Sequence, residues 1–120
     1  MSAPFVLAPE ANVDHTGLAG AVTLSPRSLV DRFGPPLAGE DFKSSGSYSF
    51  TGAEGEVFTL YDWKATSLYY DGEKDPALVN LPSPEEFWSS WLPHEFKVGA
   101  RRGSKSKSQF CEWLLAEMAS

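Results

Sequence analysis

Hydrophobic and polar positions alternate most clearly in the middle of the chain. Residues 46–64 read Gly-Ser-Tyr-Ser-Phe-Thr-Gly-Ala-Glu-Gly-Glu-Val-Phe-Thr-Leu-Tyr-Asp-Trp-Lys, with Tyr48 and Phe50 on one face of a first strand. Residues 51–55 hold two glycines and turn the chain back, and residues 56–64 form a second strand rich in β-branched and aromatic side chains. Its faces are Val57/Thr59/Tyr61/Trp63 and Phe58/Leu60/Asp62/Lys64. Neither face is polar throughout, which predicts a central strand covered above and below.

Other elements are arranged around this hairpin. Residues 1–22 are rich in Ala, Gly and Pro and read as a weakly structured extension, with a short edge strand at 21–24 that puts Val22 and Leu24 on one face. A helix is expected over 25–33: Ser25 caps, Pro26 opens the first turn, Leu24 staples onto Leu29, and Gly34-Pro35-Pro36 stops it. A loop over 35–45 follows. After the hairpin, residues 66–70 read as a short strand and 71–76 as a turn-rich excursion. Ser83, Pro84 and Glu86 begin another short helix by the same chemistry, which presents Phe87, Trp88 and Trp91 before Pro93 ends it. Those aromatics form either a lid over the core or an exposed patch. Residues 94–98 form a strand with Phe96 and Val98 inward, and residues 99–105 a basic loop. A final helix opens with the capping-box pattern Ser106-Lys-Ser-Gln109 and carries an apolar stripe of Phe110, Cys111, Leu114 and Met118.

The expected fold is α+β. An antiparallel sheet of about four strands carries two helices on one face, and a short aromatic helix covers an edge. Residues 23–120 form a single domain, with Phe58, Leu60, Phe96 and Leu114 in its core. A length of 120 residues suits one domain with a substantial core.

Composition narrows the function. A hydrophobic content of 42% and an aromatic content of 13% fit a folded chain. The single Cys111 forms no internal disulfide, no apolar run approaches the ~20 residues of a membrane span, and residues 1–20 lack the basic start of a secretory signal. A reduced cytoplasm, without membrane partners, is the expectation. Net charge −6 argues against general nucleic-acid binding. The average conceals an asymmetry, however: Lys97, Arg101, Arg102, Lys105 and Lys107 crowd into eleven positions that contain no acid.

That basic segment is the first candidate site. A glycine-containing loop entering a helix offers backbone N–H groups to an anion. Arg101 and Arg102 suit bidentate capture of a phosphate, Lys105 adds a point charge, and Ser104 and Ser106 add hydroxyls. The glycine spacing is not that of a Walker A loop. Aromatic faces at Tyr61 and Trp63 suit stacking on a nucleobase. Phe87, Trp88 and Trp91 are the alternative surface, for binding a protein. Asp62 and Lys64 share a strand face and read as an ion pair or as solvated. His15 and His94 are far apart and Cys111 stands alone, so neither a metal site, a cofactor nor a catalytic set is expected, and the protein reads as a binder rather than an enzyme.

Three pieces carry a resemblance: the helix ending Phe33-Gly34-Pro35, the strand Thr-Leu-Tyr-Asp-Trp-Lys at 59–64, and the strand-loop-helix around Val98-Gly99. Together they resemble small accessory proteins of bacteriophages and other DNA viruses. Those proteins carry a threonine-isoleucine-tyrosine-aspartate/asparagine-tryptophan-lysine strand and a histidine-isoleucine-glycine-glycine element before a last helix. The resemblance spans residues 28–115, with Tyr61, Trp63, Lys64 and Gly99 its sharpest matches. Ala100 stands in place of the second glycine, and Phe96-Lys97 in place of a tryptophan-histidine pair. The resemblance implies a role against host defence in the host-cell cytoplasm. Its form would be capture of an anionic, nucleotide-like ligand or, alternatively, inhibition of a host defence protein through the aromatic helix. A homo-oligomer is expected, since a monomer seldom leaves two adjacent tryptophans exposed.

Overall fold

The structure is a computed structural model that describes residues 5–13, 16–38, 45–62, 66, 82–104 and 106–119. In chain order its elements are β1 (Phe5–Leu7), β2 (Thr16–Leu24), α1 (Pro26–Phe33), β3 (Leu37–Ala38), β4 (Gly46–Gly52), β5 (Val57–Tyr61), α2 (Pro84–Trp88), β6 (His94–Arg101) and α3 (Lys107–Ala119). The fold is α+β. Its antiparallel sheet runs in the order β1-β4-β5-β6-β2, and the two-residue β3 joins β4 beyond the end of β1.

The expected hairpin forms. Phe50 faces Phe58 and Tyr48 faces Leu60 across β4 and β5, and Gly55 takes a φ of 84° at the turn. That backbone region penalises a Cβ, so a glycine stands there at little cost. β5 occupies the centre of the sheet, as its composition predicted.

Pairing register assigns the faces. Phe5, Leu7, Tyr48, Phe50, Phe58, Leu60, Phe96 and Val98 all point to one side. The three helices cover that side. Phe110 of α3 stacks on Phe58 at 4.7 Å, Phe33 of α1 meets Phe50 edge-on, and Trp88 of α2 leans on Tyr48 and Phe96. The aromatic helix therefore lies over the end of the same face, beside α1. Phe58, Leu60, Phe96 and Leu114 are fully buried, as the strand pattern and the last helix predicted.

Several expectations need correction. Residues 5–7 and 16–24 are strands of the sheet rather than parts of a weakly structured extension. β2 runs nine residues along β6, which supplies the hydrogen bonds that its Ala/Gly-rich sequence does not advertise. β6 is longer than expected for the same reason, so Gly99, Ala100 and Arg101 are strand residues and not a loop. Ser25 occupies the N-cap of α1 but its side chain caps nothing; instead the Ser28 hydroxyl donates to the Ser25 carbonyl at 2.7 Å. The capping box at Ser83 and Glu86 is present in full. The strand expected at 66–70 and the turn at 71–76 lie outside the described residues, apart from the buried Thr66. Among the described residues, no helix is long and apolar enough to cross a membrane.

Asp62 is the largest departure from expectation. It follows Tyr61 onto the helix-covered face and is fully buried, neither solvated nor exposed. Its carboxylate accepts from the Ser45 amide at 2.8 Å, the Ser45 hydroxyl at 2.8 Å and the Gly46 amide at 2.9 Å. Trp88 Nε1 in turn donates to Ser45 Oγ at 3.0 Å. A buried acceptor and the first amides of β4 thus satisfy each other, which closes the open end of the hairpin.

Candidate anion-binding groove

The basic segment forms one wall of an open groove of ≈ 490 Å³. Residues 16–19 of β2 form the opposite wall, residues 100–104 the near one, and Lys107 at the start of α3 closes the end. Among the described residues, no acidic side chain lines it. The chain leaves β6 through a turn in which the Ser104 amide donates to the Arg101 carbonyl at 3.0 Å, and Gly103 takes a φ of 82°. This turn holds Arg101 and Arg102 at the groove rather than spreading them along the strand.

Arg101 is anchored by donation from Nη2 to the Asn12 carbonyl at 2.7 Å. Arg102 is exposed. Ser104 lines the groove, and its hydroxyl is buried with no hydrogen-bond partner among the described residues. Ser106 is turned elsewhere: its hydroxyl donates to Glu56 at 2.6 Å, tying α3 to the β4–β5 turn. That bond holds the half-buried Glu56 carboxyl below the usual carboxylate range. Lys105 and Trp63 lie outside the described residues.

The aromatic component assembles differently from expectation. Tyr61 pairs with Lys97 on the face away from the helices, and Thr59 with Gly99 lies between that pair and Arg101. Tyr61 and Arg101 therefore share a sheet face, with the Thr59–Gly99 pair between them. Burial raises the Tyr61 phenol, and the charge of Lys97 opposes that rise. Gly99 keeps this face low. A Cβ there would fall 2.3 Å from Thr59 Oγ1 and 3.6 Å from the Tyr61 ring.

The three residues proposed as an interface separate as well. Phe87 is buried beneath α2, edge-on to His94 at 4.8 Å. Trp88 is half-buried, with its N–H committed to Ser45. Only Trp91 of the three is exposed, at 63%, beside Leu92 at 75%, with the Arg27 guanidinium 5.9 Å from its ring centre. Burial against Phe87 and Phe96 pushes the His94 imidazole down. Cys111 is half-buried on α3, and burial pushes its thiol up, away from the reactive thiolate.

Among the described residues, no group of three or more His, Cys, Asp or Glu side chains is placed to hold a metal ion. No protein-family model matches the chain, and no curated protein is detectably similar to it. The viral likeness therefore stands on the residues quoted for it alone. Charge clustering found the near wall of the groove from sequence. The β2 wall gave no sign, because Thr-Gly-Leu-Ala carries neither charge nor strong periodicity.

Proposed function

We propose that the protein captures an anionic, nucleotide-like ligand in the groove between β2 and the β6–α3 turn, without catalysing a reaction on it. The observation that carries this reading is the convergence of Arg101, Arg102 and Lys107 on one groove that, among the described residues, no acidic side chain lines, in a chain of net charge −6. Its volume suits a small-molecule ligand. Arg102 faces solvent, so a phosphate gains a planar fork of N–H groups there. The viral likeness supplies the setting of the proposal: an accessory protein that withholds such a ligand from a host defence.

The test is calorimetric titration with mono-, di- and cyclic nucleotides at two salt concentrations. Wild type is expected to bind at least one of them, more weakly at the higher salt. Replacing Arg101 and Arg102 by Ala should weaken binding by several kcal/mol in total, since charge-assisted hydrogen bonds contribute about 1.5–3 kcal/mol each. Arg101→Lys keeps the charge but loses the fork, and should also weaken binding. If wild type binds none of the panel, ligand capture gives way to the inhibitor reading. The exposed Trp91–Leu92 step is the observation that favours that reading.

A further inference from the structure

The hydroxyls around the groove are not equivalent. Thr16 Oγ1 donates to the Val13 carbonyl at 2.7 Å, and Ser106 Oγ donates to the Glu56 carboxylate at 2.6 Å. Ser104 Oγ differs from both. It is shielded from bulk solvent on a residue that lines the groove, and no described residue partners it. The backbone keeps it there: the Ser104 amide donates to the Arg101 carbonyl at 3.0 Å, across a turn that Gly103 makes at a φ of 82°. A buried hydroxyl without a partner works against folding, so its presence beside a cluster of cations calls for an explanation. An oxygen of the captured anion supplies one.

We propose that the groove selects the terminal phosphate of a phosphomonoester, and that the Ser104 hydroxyl makes the selection by donating to one of its oxygens. The inference rests on ligand capture in this groove and names the class of anion captured. Two features favour a monoester over a diester. First, the donors match it in charge and in number. Arg102 and Lys107 line the groove on either side of Ser104 in the chain, while Arg101 is tied through Nη2 to Asn12. A terminal phosphate carries about two negative charges near neutral pH and has three acceptor oxygens. Two cations balance that charge, and Arg102, Ser104 and Lys107 reach its three oxygens between them. A phosphodiester has a single charge and one terminal oxygen fewer, which leaves a cation unbalanced or the hydroxyl unpaired. Second, the groove is basic on one side only. Gly17, Leu18 and Ala19 of β2, with Ala100, give its other lining carbon surface and no charge. A monoester has phosphate at one end and its carbon body at the other, which fits that polarity. A diester carries carbon on both sides of its phosphate.

The test titrates wild type and Ser104→Ala with nucleoside 5′-monophosphates, with the 3′,5′-cyclic monophosphates of the same bases, and with ribose 5-phosphate. Wild type should bind a 5′-monophosphate about tenfold or more tightly than its cyclic counterpart, and Ser104→Ala should lose about tenfold on the monophosphate. Without ligand, the urea midpoint of Ser104→Ala should equal or exceed that of wild type, because the variant removes a buried group that the fold does not pair. Affinity and stability thus move in opposite directions, which a merely structural serine would not produce. Equal binding of the cyclic and open nucleotides, or undiminished binding by Ser104→Ala, overturns the selection and leaves ligand capture standing. A lowered midpoint for Ser104→Ala means that the hydroxyl serves the fold, and overturns its assignment. Binding of ribose 5-phosphate but of none of the nucleotides keeps the selection and removes the nucleotide from the proposed function. A wild type that binds no phosphate compound overturns both.

Discussion

On one side of the sheet, the transverse rows read Phe50–Phe58–Ala100 and Tyr48–Leu60–Val98; on the other they read Ser49–Thr59–Gly99–Leu18 and Ser47–Tyr61–Lys97–Ala21. The same strands thus supply two kinds of stabilisation. Under the helices, the sheet is held by volume: large side chains fill the space, and removing one leaves a cavity. On the opposite face it is held by smallness. Thr59 reaches over Gly99 to a distance that no Cβ would permit, so here the damage comes from adding an atom. The lesson is that the two faces of β5 should fail in opposite directions under substitution.

The largest effect should come from the helix-covered face. Leu60→Ala is expected to lose about 2–5 kcal/mol, read as a lowered midpoint of urea denaturation. An unchanged midpoint would remove the distinction between the faces. Asp62→Ala probes the polar fastening on that side. It strands the Ser45 and Gly46 amides, at about 1–3 kcal/mol for each buried donor left unpaired. Urea unfolding followed by circular dichroism should report this loss as a lowered midpoint.

Gly99→Ala sharpens the other half of the comparison. Overpacking against Thr59 should cost about 1–3 kcal/mol. Thr59→Ala should restore part of it, giving a coupling of about 0.5–3 kcal/mol in a double-mutant cycle. Additive single effects would mean that the two residues do not constrain each other. The smallest effect expected is a pH dependence. His94 is held below its ordinary value by burial, so the folded state favours the neutral ring. Its contribution is present above the unfolded value of about 6.5 and is lost as pH falls through and below it. Thermal melts between pH 7.5 and 5.5 should show stability falling on acidification, and His94→Phe should flatten that slope.

The contrast between the faces also explains what could be read from the chain. β5, β6 and α3 were legible because Phe58, Leu60, Phe96, Val98, Phe110 and Leu114 recur at the period of their elements, and volume leaves a strong periodic mark. Smallness leaves none. Gly99 and the Ala/Gly-rich β2 looked like loop and tail because the requirement for them lies in a partner strand far along the chain. Asp62 was placed on the correct strand face, yet its burial was not legible, since its donors sit at Ser45 and Gly46 on the other arm of the hairpin. The basic wall of the groove was visible as a run of charge; the wall facing it became visible only with the register of β2 on β6.

That register also sets an order in time. β4 and β5 are close in the chain and are joined by a short turn, so they are available to each other as soon as both have been made. β2 is not: Thr16 has no place in the sheet until Arg101 has been synthesised, and the long edge it shares with β6 is a pairing of the beginning of the chain with its end. On a ribosome, the exit tunnel still encloses β6 when β2 has long been outside. The strand that lines the groove must therefore wait for β6, and the molecule assembles from its hairpin outwards, with β2 seated after it.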